Sequence, residues 1–235
     1  MKDRFIPYIQ MKCHMHWNTC YLHAIRLHSG PVFNSIEAGW HVYPAYHGGS
    51  TETQLFVYST ADSYVTVDCY NTKCGFVQVH RTITPGMILP KVSDYDGTQE
   101  EITISMYKAY STGHWWLGYE DSNGYVPVRY WPNSLFNSLA NYTDKIEWGG
   151  ETASYDYPRV TYAPMGSGRF PSEGYKKAAY MRNMKVIDSS MQFVDAPSNL
   201  IPYTPAPQCY ELGNNPADVA TIGPHFYFGG PGSTC

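Results

Sequence analysis

Residues 35–44 read Ser-Ile-Glu-Ala-Gly-Trp-His-Val-Tyr-Pro, a stretch in which polar and apolar side chains alternate. Because successive side chains of a β-strand point to opposite faces, a period of two predicts a strand with one buried face. The apolar face consists of Ile36, Ala38, Trp40 and Val42. Glu37 falls on the opposite face of this strand.

Further strand-like segments follow along the chain, and turn signals such as Asp96-Gly97 separate them. We predict strands at residues 54–58, 64–69, 75–80, 101–110, 114–119, 124–131, 159–165, 177–187 and 192–195. Residues 133–142 place Leu135, Phe136 and Leu139 on one stripe, which predicts a short helix. Many short strands without a repeat of fixed period indicate an all-β fold. We expect an antiparallel β-sandwich of two packed, curved sheets, jelly-roll or lectin-like, with one short helix.

The composition excludes several classes of function. Charged residues make up 15% of the 235-residue chain, aromatic residues make up 16%, and the net charge is −4. A phosphate-binding surface needs a concentrated basic face, so we expect no nucleic-acid partner. No stretch approaches the roughly 20 apolar residues of a membrane span, so we expect no membrane association. We expect a monomer with one main domain.

The six cysteines are an even number, which fits an oxidising compartment better than the cytosol. Cys69 and Cys74 frame a tight loop, and their proximity favours pairing them. Cys209 and Cys235 then pair by elimination, and this bond would fasten the proline- and glycine-rich tail of residues 197–235. Spacing alone proves neither pairing.

Secretion is inferred from these cysteines and from a sequon for N-glycosylation at Asn141. Residues 1–10 contain three charged side chains and no apolar run of the usual length, so we expect no signal peptide within these residues. We expect a secreted protein, whether extracellular, in the cell wall or vacuolar.

Residues 1–20 differ from the rest of the chain. We expect them to be an atypical segment outside the core, with the functional domain at residues 21–235. Soft metal ligands crowd into and just beyond this segment: Cys13, His14, His16, Cys20, His23 and His28. Their spacing matches no familiar zinc finger or ribbon, so a solvent-facing leader, with or without a Cys13–Cys20 bridge, is favoured. We expect neither a metal nor a cofactor.

Carboxylates are the leading candidates for chemistry. The chain has no G-x-S-x-G elbow, no H-E-x-x-H motif and no Walker loop. Residues 165–168 (Met-Gly-Ser-Gly) lack the strand-to-helix context of a nucleophile loop, so we predict a turn there. Glu37 lies mid-strand, and Glu151 shares a strand face with Gly149, where glycine leaves room for another backbone. Pattern alone also allows both glutamates to be ordinary solvent-facing residues of an outer sheet.

Seven stretches carry a resemblance to a known family. They contain I-E-A-G-W at 34–44, C-Y-N-T-K-C at 69–78, G-H-W-W-L at 113–117, Y-W-P at 130–132, W-G-G-E at 148–151, M-G-S-G-R-F-P at 165–171 and F-Y-F-G-G-P-G at 226–232. Together, in this order, they strongly resemble the plant neprosin-type domain. The resemblance covers nearly everything from Leu22 to Cys235, and the motifs are specific as a set although each alone is modestly so.

The resemblance implies a sandwich whose concave face binds an extended peptide, and an acid-acting endopeptidase that favours proline next to the scissile bond. The family's two catalytic glutamates match Glu37 and Glu151. Two close carboxylates cannot both ionise cheaply, so one would keep a proton and act as the acid while the other acts as the base on a bound water. The sequence does not assign the two roles.

The family's disulfides match Cys69–Cys74 and Cys209–Cys235, in agreement with the loop argument. Six aromatic residues are candidates to line the groove and stack on proline rings, with ordinary core positions as the other interpretation: Trp115, Trp116, Tyr119, Tyr130, Trp131 and Trp148.

Two further functions remain open at the level of sequence. A glycoside hydrolase on a lectin-like sandwich would also use two carboxylates and many aromatic residues. A non-catalytic protein that binds peptides or cell-wall polymers could use the same scaffold, and fold analogy alone does not separate these functions. The ordered motifs favour the peptidase, with a proline-containing peptide or protein as its partner.

Overall fold

The computed structural model of the protein describes residues 8–12, 20–30, 32–66, 69–121, 124–153, 162–188, 190 and 192–232. The strands within these ranges are β1 (Tyr8–Lys12), β2 (Cys20–Ser29), β3 (Asn34–Val42), β4 (Gln54–Thr60), β5 (Cys69–Tyr70), β6 (Val77–Gln78), β7 (Glu101–Lys108), β8 (Trp115–Asp121), β9 (Gly124–Trp131), β10 (Lys145–Ala153), β11 (Ala179–Ile187), β12 (Phe193–Asp195), β13 (Glu211–Gly213) and β14 (His225–Gly229). The helical elements within the same ranges are one α-helix, α1 (Val219–Ile222), and short 3₁₀-helices at Asn133–Leu135, Pro171–Glu173 and Pro216–Asp218.

The strands pair antiparallel and form two sheets. The larger sheet has the order β13-β14-β11-β1-β7-β8-β9-β6, with β12 also pairing with β11. The smaller sheet has the order β10-β2-β3-β4-β5. The prediction of an all-β antiparallel sandwich with one short helix is confirmed. No helix among the described residues is long and apolar enough to cross a membrane.

The hydrophobic core lies between the two sheets. From the smaller sheet, β3 contributes Ile36, Ala38, Trp40 and Val42, each at most 1% exposed, so the alternation predicted for this strand is confirmed. The larger sheet contributes Ile104, Met106, Trp115, Leu117, Val128 and Trp131. Burying each large apolar side chain stabilises the fold by about 1.5–3 kcal/mol, so this layer holds the sheets together.

Residues 133–142 do not form the predicted helix. A single 3₁₀ turn at Asn133–Leu135 is followed by extended backbone at Phe136. The next two backbone N–H groups donate to the side-chain oxygen of the buried Asn34, at 2.8 and 3.0 Å. These bonds replace the backbone bonds that a helix would make there. The short helix of the fold is α1, in the tail.

The predicted strand at 64–69 is also wrong, because side chains capture the backbone donors of residues 64–66. The backbone N–H of Tyr64 donates to the Thr60 hydroxyl at 3.0 Å. The Asp62 carboxylate accepts from the next two backbone N–H groups at 3.2 and 2.8 Å. A turn results at residues 64–66, residues 67 and 68 lie outside the described residues, and Cys69–Tyr70 pairs as a short strand with β4.

Two other predicted strands are shortened. Only Val77–Gln78 of residues 75–80 is a strand. Part of the strand predicted at 159–165 lies outside the described residues, and within the remainder Met165 forms an antiparallel bridge with Gly230. The turn predicted at residues 165–168 is confirmed.

The segment 1–20, expected outside the core, contributes a strand to the larger sheet. Tyr8–Lys12 pairs with β7 on one side and with β11 on the other. The strand supplies hydrogen-bond partners to two sheet edges that would otherwise face each other unpaired. These five residues therefore belong to the larger sheet, and the expectation of a segment 1–20 outside the core with a domain at 21–235 stays a prediction.

The Cys69–Cys74 disulfide is present, with the two Cα atoms 5.6 Å apart. Cys209 is also disulfide-bonded. Its predicted partner Cys235 lies outside the described residues, as does Cys13. The tail beyond residue 197 contains β13, α1 and β14, and β14 pairs with both β11 and β13.

Candidate active site

Three adjacent strands of the smaller sheet bring the two predicted catalytic glutamates together with an arginine. Glu37 of β3 lies directly across from Arg26 of β2, and Glu151 of β10 lies across from Leu22 of β2. Leu22 and Arg26 are an even number of residues apart, so they belong to the same face of β2. The guanidinium of Arg26 spans the remaining distance and contacts both carboxylates.

Glu37 is buried, with 3% of its surface exposed. Nε of Arg26 lies 3.0 Å from Oε1, and Nη2 donates to Oε2 at 3.3 Å. The hydroxyls of Ser35 and Tyr64 donate to Oε1 at 3.1 and 3.2 Å. A buried carboxylate needs such donors to replace water, and Glu37 is therefore not the solvent-facing residue that pattern alone allowed.

Glu151 is half exposed and receives one strong contact, from Nη2 of Arg26 to Oε2 at 2.7 Å. The same nitrogen lies 3.3 Å from Oε2 of Glu37, so the two carboxylate oxygens are no more than about 6 Å apart. That is roughly the span of one bridging water, which hydrogen-bonds each oxygen at about 2.8 Å. The structure thus brings the two predicted residues together.

Glu147 is a third carboxylate on the same face of β10, and it has its own cations. Lys145 lies 2.5 Å from one of its oxygens and His28 lies 3.2 Å from the other. The His28 side chain first, with a further contribution from Lys145, lowers the pKa of Glu147 to about 2. Arg26 approaches Glu147 only to 3.8 Å. Glu147 is therefore paired away from the two candidate catalytic residues.

Arg26 stays charged between the carboxylates. Burial works against its charge, but the attraction of Glu37 and Glu151 is stronger in sum and raises the pKa of Arg26 above its ordinary value. No sequence motif singles out Arg26. Arg26 acts on both glutamates because β2 lies between β10 and β3, and this strand order is not visible in a single sequence.

Tyr64 is held beside Glu37 by a strained turn. Ser63 and Tyr64 both have left-handed backbone, with φ of 62° and 63°, which costs energy for residues other than glycine. The turn brings the Tyr64 hydroxyl to Glu37, and burial, together with the charge of Glu37, raises the pKa of Tyr64 to about 12. The phenol therefore stays protonated and acts as a donor at any pH at which the site would operate.

His41 lies four residues beyond Glu37 on the same face of β3 and is fully buried. Its Nδ1 lies 2.8 Å from the Tyr70 hydroxyl, and its Nε2 lies 2.8 Å from Nε2 of His47. Burial first, and His47 after it, lowers the pKa of His41 from 6.5 to about 3. The imidazole is neutral in the folded protein over most of the acid range.

Residues 19–231 match the family model of Neprosin. The chain belongs to the Neprosin family. The resemblance seen in the seven sequence motifs is thereby confirmed. Among solved structures, a Scytalido-glutamic peptidase bound to a peptide-based transition-state analogue is similar with a TM-score of 0.39 and 12% sequence identity, over 82% of this chain and 77% of that one. A likeness this distant has no bearing on the site.

The aromatic residues near the carboxylates of this Neprosin-family chain differ from those expected. Trp115 and Trp131 are buried in the core, and Trp148 lies on the face of β10 opposite Glu151. The rings close to Glu37 are instead those of Tyr64 and its two neighbours, Phe33 and Tyr58, with ring centroids 5.4 and 5.8 Å from that of Tyr64. Turn geometry, which the strand prediction missed, positions Tyr64 there.

Metal ligands do not cluster among the described residues, where no group of three or more His, Cys, Asp or Glu side chains could hold an ion. Of the candidate zinc ligands near the N-terminus, Cys13, His14 and His16 lie outside the described residues, and Cys20, His23 and His28 belong to β2. His28 contacts Glu147 and the ring of Phe33. Asn141 is exposed in a turn, while Thr143 of its sequon donates to two backbone carbonyls, each at 2.9 Å.

Proposed function

We propose that this chain is a glutamic peptidase that hydrolyses peptide bonds next to proline, with Glu37 and Glu151 as its general acid–base pair. The observation that carries the proposal is the convergence of two carboxylates, from separate strands, on one guanidinium nitrogen. Carboxylates about one water apart are suited to share a proton and to act together on that water. Membership of the Neprosin family supports the same activity.

The reaction requires one carboxylate to be ionised and the other protonated. The ionised carboxylate takes a proton from the water as its oxygen attacks the carbonyl carbon, and the protonated one donates a hydrogen bond to the carbonyl oxygen. The C–N bond then breaks, and the nitrogen leaves with a proton from the pair. One water is consumed, a carboxylic acid and an amine are released, and the pair returns to its starting protonation.

The substrate is an extended peptide lying across the open face of the smaller sheet. Gly149 lies between Glu147 and Glu151 on that face, and a Cβ added to it would meet no heavy atom within 4 Å. A backbone can therefore approach closely there. Tyr64 is 45% exposed beside Glu37, and its ring offers an apolar surface on which a proline ring can stack.

Activity at acid pH follows from the shared proton. Turnover requires one protonated and one ionised carboxylate, so it is lost on one side when the acid is missing and on the other when the base is missing. The pH profile of turnover is therefore expected to be bell-shaped on the acid side of neutrality.

We also propose that the protein is secreted and monomeric, acting on a protein or peptide without a nucleic-acid or membrane partner. The Cys69–Cys74 disulfide and the exposed Asn141, as a glycosylation site, support secretion. These properties are tested by expression in a secreting eukaryotic host and by sedimentation.

One observation favours a second candidate, a non-catalytic peptide-binding protein. Nη2 of Arg26 stands between the two carboxylates, where the attacking water would have to lie. Incubation of the purified protein with a proline-containing peptide library at about pH 4 and pH 7, followed by mass spectrometry, separates the two. New termini next to proline at the lower pH support the peptidase. Uncut peptides that are retained by the protein support the binding function instead.

A further inference from the structure

Arg26 is the cation that both candidate catalytic residues share. It lies on the middle one of three strands, with Glu37 on one neighbour and Glu151 on the other. Its Nη2 donates to Oε2 of Glu37 at 3.3 Å, and its Nε lies 3.0 Å from Oε1 as an ion-pair contact without the alignment of a hydrogen bond. Nη2 also donates to Glu151 at 2.7 Å. One side chain therefore sets the position of both carboxylates.

The other charged and titratable groups around Arg26 do not replace it. On β10, Glu147 pairs with Lys145, and on β2, His28 faces the same carboxylate. From the turn after β4, Tyr64 contributes a neutral hydroxyl to Glu37. Among the described residues, Arg26 is thus the cation in contact with both Glu37 and Glu151.

The position of Nη2 conflicts with the position of a catalytic water. A nitrogen at 2.7 and 3.3 Å from the two carboxylates takes the place of the bridging oxygen that the reaction needs. The arrangement suits two ionised carboxylates, because one cation offsets their mutual repulsion. Once one carboxylate is protonated, it loses the charge that held the guanidinium, and the guanidinium can withdraw towards the other.

We propose that Arg26 is a positioning residue of the pair, which holds Glu37 and Glu151 facing each other and keeps water out from between them until one carboxylate is protonated. The proposal rests on the proposed peptidase function for its consequence in turnover, but the contact itself can be tested without turnover. It makes Arg26 the group that couples activity to acidity.

Three variants test the proposal by pH profiles of kcat and KM. Arg26→Gln removes the charge, and an opposite charge within about 4–6 Å lowers the pH at which a carboxyl titrates by about 1–3 units. The upper, neutral-side limb of the kcat profile should therefore move to higher pH by about one unit or more in this variant. Arg26→Lys keeps a cation but has no fork to bridge both carboxylates, so the limb should stay near its wild-type pH while kcat falls by about tenfold or more through misplacement. Lys145→Gln removes a nearby cation that pairs only with Glu147, and should leave the limb where it is.

A limb that stays in place in Arg26→Gln, or that moves equally in Lys145→Gln, overturns the proposal while leaving the peptidase function intact.

Titration of the glutamate side-chain carboxyl carbons by NMR provides the readout that needs no turnover. The midpoints of Glu37 and Glu151 should rise in Arg26→Gln relative to wild type. Unchanged midpoints overturn the proposal even if no peptide is cut, and a rise together with absent turnover refutes only the peptidase function. If Arg26→Gln does not fold, the same titration in Arg26→Met, which also removes the charge, should show both midpoints rising, and unchanged midpoints there count against the proposal.

Discussion

His41 should make the folded protein sensitive to the acid at which the proposed enzyme acts. In the folded state its pKa is lowered from 6.5 to about 3 by burial and by His47. The unfolded chain therefore binds a proton at this histidine below about pH 6.5 that the folded chain does not bind. Because protons bound preferentially by the unfolded state favour unfolding, this contribution lowers stability as the pH falls through that range.

The perturbation that isolates this effect is His41→Phe. The His41 ring stacks on Phe56 with centroids 4.9 Å apart and an interplanar angle of 5°, so a phenyl ring can keep that stack. At neutral pH the variant should be less stable, since two hydrogen bonds worth about 1 kcal/mol each are lost. Below about pH 6.5 wild type should lose about 1.4 kcal/mol per pH unit more than the variant, or about 3 kcal/mol by pH 4.

Urea unfolding followed by tryptophan fluorescence at a series of pH values measures the difference directly. The two stability curves should cross near pH 5, with the variant the more stable below that point. Taking the difference between the two proteins cancels the titration of all other groups that behave alike in both. A difference that stays constant from about pH 7 to pH 4 would refute the reasoning.

Three further predictions concern stability and processing. Gly150→Ala should lower the free energy of unfolding by about 1–3 kcal/mol, because the added Cβ would lie 2.8 and 2.9 Å from two core side chains. Gly149→Ala places its Cβ in open space and should leave the free energy of unfolding, measured in urea, nearly unchanged. Equal losses in the two variants would contradict the assignment of these glycines to opposite strand faces. The double change Cys69→Ser and Cys74→Ser should lower the unfolding free energy by about 2 kcal/mol, because the unfolded chain gains the conformational entropy that closing this short loop removes. An unchanged urea midpoint would show that the bond does not stabilise the fold. Asn141→Gln should remove one glycan mass from protein secreted by a eukaryotic host, and an unchanged mass would mean that the exposed sequon is not used.

The parts of the fold that the sequence predicts well are those where one strand face is buried. The alternation of residues 35–44 identifies β3 and its core residues, because the period of two reflects burial directly. The sequence fails where a distant side chain competes with local preference. Asn34 accepts the backbone donors after the 3₁₀ turn at Asn133–Leu135, and no local pattern near residue 133 shows that.

The candidate site divides in the same way. Glu37 and Glu151 follow from motifs that lie on strands of regular register. Arg26 and Tyr64 do not, because their contacts with Glu37 depend on strand order and on a left-handed turn. The burial of His41 likewise results from rings such as Phe56 and Tyr70 packing over a strand face that the alternation marks as polar.

The central claim is that Glu37 and Glu151 act as a pair, and the measurement that tests it most directly is kcat/KM on one proline-containing peptide at the acid optimum. Glu37→Gln and Glu151→Gln should each lower kcat/KM by about 10²–10⁴-fold, the usual contribution of a general acid or base. Glu147→Gln provides the matched control, since it removes a carboxylate from the same face of β10 that pairs elsewhere, and it should stay within a few-fold of wild type. Wild-type activity in either of the first two variants, or an equal loss in the third, would contradict the account.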